Sequence, residues 1–192
     1  MVVEGITELV EIVLHYILYV RDVYPKAAFE KRQKYNLPIW KCLHPGVCSY
    51  IHKFMELATE LLERQRKLDV VFTILGALGQ RFEEFVFEIQ VMDSNMIDET
   101  LTRYCETTLS NICFNINTCD SLKLYSGACT FSSHIRLNPE PVPISRLRGT
   151  LKNKNFSWIT FRRSKSEPWK RMIPLKTVEN PSYGLQIYIY QK

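Results

Sequence analysis

The sequence lacks the short motifs by which many enzymes that bind nucleotides or hydrolyse bonds are recognised. Its 192 residues contain no GxxxxGK[ST] loop, GxGxxG turn, HExxH pair or GxSxG elbow. Each of these motifs fixes a phosphate cradle, a metal site or an activated serine at one point of the backbone. We therefore expect a protein that is not an enzyme and that needs no cofactor and no metal.

The sequence also lacks a signal peptide, a membrane span and closely spaced cysteine pairs. Acidic residues occupy the first turns, where a signal peptide carries basic ones, and the longest apolar run there is interrupted at His15. All spacings between the six cysteines are wider than the CxxC pairs typical of zinc sites. We therefore expect an intracellular protein without membrane anchor or disulfides, in which the cysteines are buried thiols.

The positive charge is concentrated near the end of the sequence. Residues 141–176 contain ten lysines and arginines and one acid, so this segment has a charge of +9. Since the net charge of the whole sequence is +5, the remainder has a charge of −4. Aromatic residues such as Trp158 and Trp169 are interleaved with these charges. This basic tail is compatible with phosphate contacts and base stacking in a nucleic-acid complex, with a solvated face whose aromatics pack inward, or with a clamp on a peptide.

Hydrophobic periodicity predicts an α+β domain. Helical spacing covers Ile6 to Val20, a second helix beginning at Pro45, and a third from Ile97 to about Cys119. Two β-rich runs, 70–75 and 82–89, are separated by the turn signal of 76–79 and are typical of an antiparallel hairpin. We expect further strands at 128–137, 156–163 and 183–191, with an irregular, proline-rich connection at 138–149.

Several blocks resemble the HORMA-domain family. They occur in that family's order: "ILYVRDVYPKAAFEKRQKYNLP" (17–38), "CLHP" (42–45), "EEFVFEI" (83–89), "CTF" (129–131), "IPLKT" (173–177) and "LQIYI" (185–189). The resemblance is greatest to the mitotic-arrest-deficient-like branch, whose members are accessory subunits of translesion DNA polymerase zeta. It implies one domain over 1–192, in which three helices pack on an antiparallel sheet. The core would span about 1–137, and a C-terminal "safety belt" would span about 138–192.

The resemblance also implies the partners. It predicts a non-catalytic adaptor that holds a proline-containing peptide of the polymerase zeta catalytic subunit under its belt and binds a Y-family deoxycytidyl transferase in DNA damage tolerance. Other HORMA-binding peptides are compatible with the same clamp. It predicts weak or no direct DNA binding, no membrane association, and a nuclear location with some cytoplasmic protein. The alternatives are a checkpoint-type HORMA adaptor in cell-cycle control and a nucleic-acid-binding module that uses the basic tail.

The family's functional positions map onto three groups of residues. The peptide-binding group is Tyr24, Tyr50, Trp158 and Thr160, with Thr160 standing where the family has a hydrophobic residue. The surface for the Y-family polymerase is Met172, Gln186 and Tyr188, with Met172 in place of a leucine. The self-association face contains Lys31 and Ser110, and Ser110 stands where the family has an arginine, which leaves homodimerisation open.

Overall fold

The structure, a computed structural model, describes residues 2–92, 98–119, 128–137 and 169–191. Within these ranges lie three helices, α1 (Val2–Val20), α2 (Pro45–Gln65) and α3 (Asp98–Thr118). The strands are β1 (Phe29–Lys34), β2 (Leu37–Cys42), β3 (Lys67–Gly76), β4 (Arg81–Val91), β5 (Cys129–Leu137), β6 (Arg171–Glu179) and β7 (Tyr183–Gln191). None of the helices described is long and apolar enough to cross a membrane. The predicted α+β fold with helices on an antiparallel sheet is confirmed.

The central helix α1 is buried along most of its length because it packs against both other helices and the β1–β2 hairpin. Leu9, Leu14 and Ile17 are fully buried. The helix ends where the sequence predicts, since Asp22 adopts a left-handed conformation with φ 50° and Pro25 follows soon after. This end places Tyr24 at the boundary of the core, half-buried.

The second helix begins as predicted at Pro45, whose missing N–H is no loss at this position. The preceding residue, His44, caps the helix, since its Nδ1 accepts a hydrogen bond from the Val47 N–H at 3.4 Å. The helix ends at Gln65, and the C-cap residue Arg66 has a left-handed φ of 62°. The cap fixes the His44 ring beside the first turn, and one turn later the helix carries Tyr50.

The stretch between α1 and α2 forms a hairpin that the sequence analysis did not predict. Strands β1 and β2 pair antiparallel around a two-residue turn, Tyr35 and Asn36, with φ values of 47° and 55°. Two successive positive φ values are those of a type I′ turn, which suits the twist of a hairpin. Phe29 is buried, and Trp40 stacks on Tyr19 of α1 with ring centroids 4.3 Å apart. The hairpin therefore packs on α1 through aromatic rings.

The large sheet has the strand order β5-β3-β4-β7-β6, and each neighbouring pair is antiparallel. The predicted hairpin of residues 70–75 and 82–89 is confirmed as β3 and β4, with Phe72 opposite Phe85. Alternate residues such as Phe72, Phe85 and Phe87 are fully buried in the main core with the helices. The opposite face carries a small separate cluster of Val71, Val86 and Tyr188, with Tyr190 against it.

Strand β6 was also missed by the sequence analysis. Pro174 interrupts its pattern, and the register shifts between Pro174 and Lys176. Proline is tolerated here because β6 lies at the edge among the described strands, and an edge strand does not need every main-chain donor. The predicted strands at 128–137 and 183–191 are confirmed as β5 and β7, whereas that at 156–163 lies outside the described residues.

A buried ion pair links four elements of the fold. The Arg21 guanidinium, directly after α1, bonds the Glu83 carboxylate of β4 through Nε to Oε2 at 2.6 Å and Nη2 to Oε1 at 3.3 Å. Arg21 also donates to the Ile116 carbonyl of α3 at 3.5 Å, and Gln191 of β7 donates to Glu83 Oε1 at 2.7 Å. Because both charges have several polar partners, this network satisfies groups that would otherwise be expensive to bury.

Candidate functional site

The candidate site is a cluster of aromatic rings around Phe131 of β5. The Phe131 ring is stacked on Phe72 at 5.0 Å between centroids and meets Tyr50 edge-on at 5.5 Å. Tyr24 also meets Phe131 edge-on, at 6.4 Å, and its other side faces the His44 ring at 6.5 Å. These separations are those of favourable ring pairs. The structure thus brings Tyr24 and Tyr50, 26 residues apart in the sequence, to one aromatic side chain.

Hydrogen bonding and burial fix the two tyrosines. The Tyr50 hydroxyl lies 2.6 Å from Ser133 Oγ, two residues beyond Phe131 on the same face of β5. Burial raises the pKa of the Tyr24 hydroxyl above its ordinary value, and the nearby Cys42 thiol adds to this shift. Both tyrosines are half-buried, so each presents part of its ring at the surface while the rest packs on the core. The cluster can therefore contact a ligand without repacking the interior.

The cluster lies on the edge strand of the large sheet. Among the described strands, β5 pairs with β3 only, from Leu68 opposite Leu137 to Gly76 opposite Cys129. Every residue from Phe131 to Leu137 is half-buried. A sheet edge offers main-chain N–H and C=O groups in the spacing that an extended peptide needs, and side-chain pockets beside it supply specificity. The site thus combines a sheet edge among the described strands with a cluster of half-buried aromatic rings.

Two of the four predicted peptide-binding residues, Trp158 and Thr160, lie outside the described residues. Conversely, sequence reasoning did not assign Phe131 or His44 to the site. Both stand in blocks that carry the resemblance, "CTF" and "CLHP", but their roles depend on contacts between distant elements. The alternating pattern of 128–137 predicts on which face of its strand Phe131 lies, but it does not predict which side chains Phe131 contacts.

Comparison with known proteins assigns the fold. The HORMA domain family model matches residues 2–123. The chain belongs to the HORMA-domain family. The mitotic spindle assembly checkpoint protein MAD2B of Danio rerio is 31% identical over 100% of this chain and 91% of its own. The DNA polymerase zeta subunit 2 of Drosophila melanogaster is 23% identical and covers 96% of this chain and 94% of its own.

Solved structures agree on the architecture. A chain of the mitotic checkpoint complex matches with a TM-score of 0.76 at 14% identity, covering 99% of this chain and 98% of its own. C. elegans HTP-2 bound to HTP-3 closure motif 1 matches with a TM-score of 0.64 at 13% identity, covering 97% of this chain and 84% of its own. At these identities the matches show the HORMA fold. The relatives of similar length, named MAD2B and DNA polymerase zeta subunit 2, confirm the sequence-based resemblance to the mitotic-arrest-deficient-like branch.

A second surface of the HORMA domain contains the three residues predicted to contact a Y-family polymerase. Gln186 and Tyr188 are two apart on β7 and face the same side of the sheet, and Met172 on β6 is paired with Tyr190 on that side. Gln186 and Met172 are exposed, the latter by 56%. Tyr188 is mostly buried, and its hydroxyl donates to Glu88 Oε1 at 2.5 Å. The structure therefore brings the three residues to one face of the β7–β6 edge.

The predicted self-association residues lie on neighbouring elements. Lys31 is exposed on β1, and Ser110 is exposed on α3. The turn of the hairpin reaches α3, since Asn36 Nδ2 donates to Glu106 Oε2 at 3.4 Å one helical turn before Ser110. Phe114, one turn after Ser110, is 67% exposed. The surface that contains Lys31, Ser110 and Phe114 is therefore accessible. Its role in dimerisation remains a prediction.

The cysteines of this protein are buried or half-buried thiols. None of the six cysteines forms a disulfide; Cys42 and Cys105 are buried, and the other four are half-buried, so the prediction of six buried thiols is only partly correct. Burial raises the pKa of Cys105 to about 11. Among the residues described, no three His, Cys, Asp or Glu side chains are grouped so that they could hold a metal ion.

Proposed function

We propose that this protein is a non-catalytic adaptor subunit of translesion DNA polymerase zeta. In this proposal it clamps a proline-containing peptide of the catalytic subunit beside β5 and binds a Y-family polymerase through β6 and β7. The observation that carries the proposal is the cluster of Tyr24, Tyr50 and Phe131 at a sheet edge that has one described neighbour. Full-length similarity to the Drosophila polymerase zeta subunit supports this assignment.

Strand geometry supports the clamp. An extended segment lying along β5 would extend the sheet by main-chain hydrogen bonds, and its apolar or proline side chains would contact the half-buried rings of Tyr24 and Tyr50. Proline fits such a segment because it is tolerated in an edge strand, and because a peptide that contains proline loses less conformational entropy when it binds. C. elegans HTP-2, which has the same fold, is described as bound to a closure motif.

The connection between β5 and β6 supports the same proposal. Four antiparallel steps separate β5 from β6, so these two strands run parallel, at opposite edges of the described sheet. Parallel strands require a crossover connection, and residues 138–168 supply it. The 31 residues of this segment can extend to roughly 100 Å. A four-step sheet is only about 19 Å wide, so the segment has length to spare for enclosing a peptide.

The β6–β7 face supports a separate site for the second polymerase. Met172 and Gln186 belong to strands at the edge opposite β5, and the two surfaces share no residue. A partner on this face would therefore leave β5 available to the peptide. The adaptor would bridge two polymerases by presenting two distinct surfaces in DNA damage tolerance, and we propose a nuclear location with some cytoplasmic protein.

Isothermal titration with a proline-containing peptide of the polymerase zeta catalytic subunit tests the clamp. We expect Tyr50→Ala to weaken binding by at least about tenfold, because ring contacts at the centre of a binding groove concentrate the binding energy. Tyr50→Phe is the matched control: it keeps the ring and loses the bond to Ser133 within the protein, which is worth about 1 kcal/mol of folding free energy, so we expect the peptide affinity to change less than in Tyr50→Ala. Unchanged affinity in a folded Tyr50→Ala variant would contradict the proposal.

Trp158→Ala provides a second test of the clamp. If Trp158 fills the centre of the peptide groove, its truncation is expected to weaken the peptide complex by about 2–4 kcal/mol, or roughly 30- to 1,000-fold. If Trp158 belongs to the core, the same change instead lowers the melting temperature severely. Titration and thermal melting of one variant distinguish these outcomes.

A checkpoint-type adaptor is the second candidate, because relatives over the full chain bear the name of a spindle checkpoint protein. An affinity pull-down from nuclear extract, followed by mass spectrometry, separates the two. Recovery of a large B-family polymerase that depends on Tyr50 supports the polymerase zeta assignment. Recovery of checkpoint proteins without that polymerase supports the alternative. A sub-micromolar complex of the isolated chain with DNA that survives moderate salt would instead favour nucleic-acid binding.

A further inference from the structure

A groove of about 1030 Å³ lies between α1, α2 and the β1–β2 hairpin. None of the residues of the aromatic cluster or of the β6–β7 face lines it. Its floor is formed by small and apolar side chains that include Thr7, Ile12 and Met55. The hairpin forms one wall through residues such as Trp40 and Lys41. This groove is therefore a separate surface for which the peptide clamp gives no explanation.

Two rows of glutamates run along the groove. They are Glu4, Glu8 and Glu11 on α1, and Glu56, Glu60 and Glu63 on α2. Each row has the spacing i, i+4, i+7, which places its carboxylates on one face of its helix.

The two rows lie on opposite sides of the groove, since both line it, and the two helices run in opposite directions. Thr59 Oγ1 donates to Thr7 Oγ1 at 2.9 Å, while His52 Nδ1 lies 3.6 Å from Glu11 Oε2. Residues with increasing numbers on α1 therefore contact residues with decreasing numbers on α2, so the two helices are antiparallel.

The groove carries a negative charge after its own cations are counted. Six glutamates against Arg32, Lys34 and Lys41 leave a formal charge of −3 with His52 neutral, and Arg64, which pairs with Glu60 at 2.7 Å from outside the lining, reduces it to −2. The internal pairs are at the surface: Lys34 Nζ contacts Glu8 at 2.6 Å with both side chains more than 40% exposed. Such exposed pairs hold their partners weakly, so a cationic ligand can replace them. Like charges in two facing rows repel each other, and a ligand with positive charge would relieve that repulsion.

A histidine in the groove lining is left with an unused donor. The His15 side chain is 4% exposed and lines the groove. Its Nδ1 accepts a hydrogen bond from the Cys42 N–H at 3.4 Å, which places the proton of the neutral ring on Nε2. Nε2 has no hydrogen-bond partner among the described residues. A buried donor in this condition is unfavourable; because the atom itself is covered, a carbonyl oxygen of a ligand would satisfy it after the groove side chains over it shift.

We propose that this groove binds a short lysine- and arginine-rich peptide segment of a partner protein. The cationic side chains would meet the two glutamate rows, and a main-chain carbonyl would accept from His15 Nε2. The α1 row and His15 span Glu4 to His15, about 17 Å along the helix, which matches about five residues of extended peptide. The described residues offer no group of ligands for a metal ion, and the negative sign opposes nucleic acid.

Fluorescence anisotropy with a labelled peptide of six alternating lysines and arginines tests this site in the full chain. We expect Glu56→Gln/Glu63→Gln to weaken binding about 2- to 30-fold, since each exposed charge pair contributes a modest amount. The control Asp22→Asn/Glu179→Gln removes the same charge from exposed residues outside the groove, and we expect it to change the affinity less than twofold. Equal weakening by both variants would show unspecific charge attraction and overturn the proposal.

Histidine nuclear magnetic resonance locates the bound peptide. In protein with ¹⁵N-labelled histidine, the peptide should shift the ring signals of His15 and leave those of His44, in the aromatic cluster, unchanged. Binding without a His15 shift would overturn the proposed location. Size-exclusion chromatography with light scattering tests the other occupant: a dimer that the groove variant disrupts would make a second copy of this chain the ligand and would overturn the proposal of a partner protein.

Discussion

Removing one charge of the Arg21–Glu83 pair should destabilise the protein strongly. The two side chains are 0% and 1% exposed, so Glu83→Gln removes the carboxylate that bonds the buried Arg21 guanidinium at two of its nitrogens. Breaking a buried pair in this way costs about 3–5 kcal/mol. For a domain of this size, each kcal/mol lowers the melting temperature by about 2–4 °C, so we expect a drop of about 6–20 °C.

Urea unfolding and thermal melting followed by circular dichroism measure this loss. The matched control is Asp22→Asn, which removes the anion of the exposed Lys26–Asp22 pair, where the side chains are 48% and 70% exposed. We expect the control to change the free energy of unfolding by no more than about 1 kcal/mol.

A double-mutant cycle separates the pair from its surroundings. Arg21→Met combined with Glu83→Gln should cost less than the sum of the two single changes, because no unpaired charge remains. A Glu83→Gln variant as stable as the Asp22→Asn control would refute the reasoning that this network joins α1, β4, α3 and β7 energetically.

Three further predictions concern other parts of the molecule. Burial and the nearby Lys41 lower the pKa of His15 from 6.5 to about 4, so the unfolded chain binds the proton at a higher pH than the folded protein does. The free energy of unfolding should therefore fall by up to about 3 kcal/mol as the pH drops from 6.5 to about 4. Urea titrations at several pH values measure this loss, which should be smaller in His15→Gln. Because burial raises the pKa of Cys105 to about 11, iodoacetamide should label it at pH 8 roughly 100-fold more slowly than an exposed cysteine, with faster labelling contradicting its burial. Met172→Ala should weaken Y-family polymerase binding in a pull-down and leave peptide titration unchanged, and loss of both partners from a folded variant would contradict two separate surfaces.

The elements with regular hydrophobic spacing could be predicted from the sequence, and those shaped by charge or proline could not. The three helices and the β3–β4 hairpin each carry a continuous apolar stripe, as in Phe85 and Phe87, so their type follows from periodicity. Strand β1 contains mostly charged residues, and β6 contains Pro174. Their strand conformation depends on pairing with β2 and β7, which local sequence does not reveal.

The candidate site could likewise be predicted only in part. The resemblance selected Tyr24 and Tyr50, and the structure brings both to Phe131. No pattern in the sequence indicated that Phe131 would be their common neighbour, because that contact depends on β5 pairing with β3 across more than fifty residues of chain. The roles of Trp158 and Thr160 remain predictions.

The position of β7 between β4 and β6 has a consequence for biosynthesis. Glu83 meets Gln191 across 108 residues, and a ribosome adding 5–20 residues per second needs about 5–20 s to cover that distance. During this interval β4 has its β3 partner but no strand on its other side. A nascent sheet with an open edge is exposed to wrong pairing for that time. The acidic residues at Glu84 and Glu88 on β4 would then discourage association between nascent chains until β7 emerges.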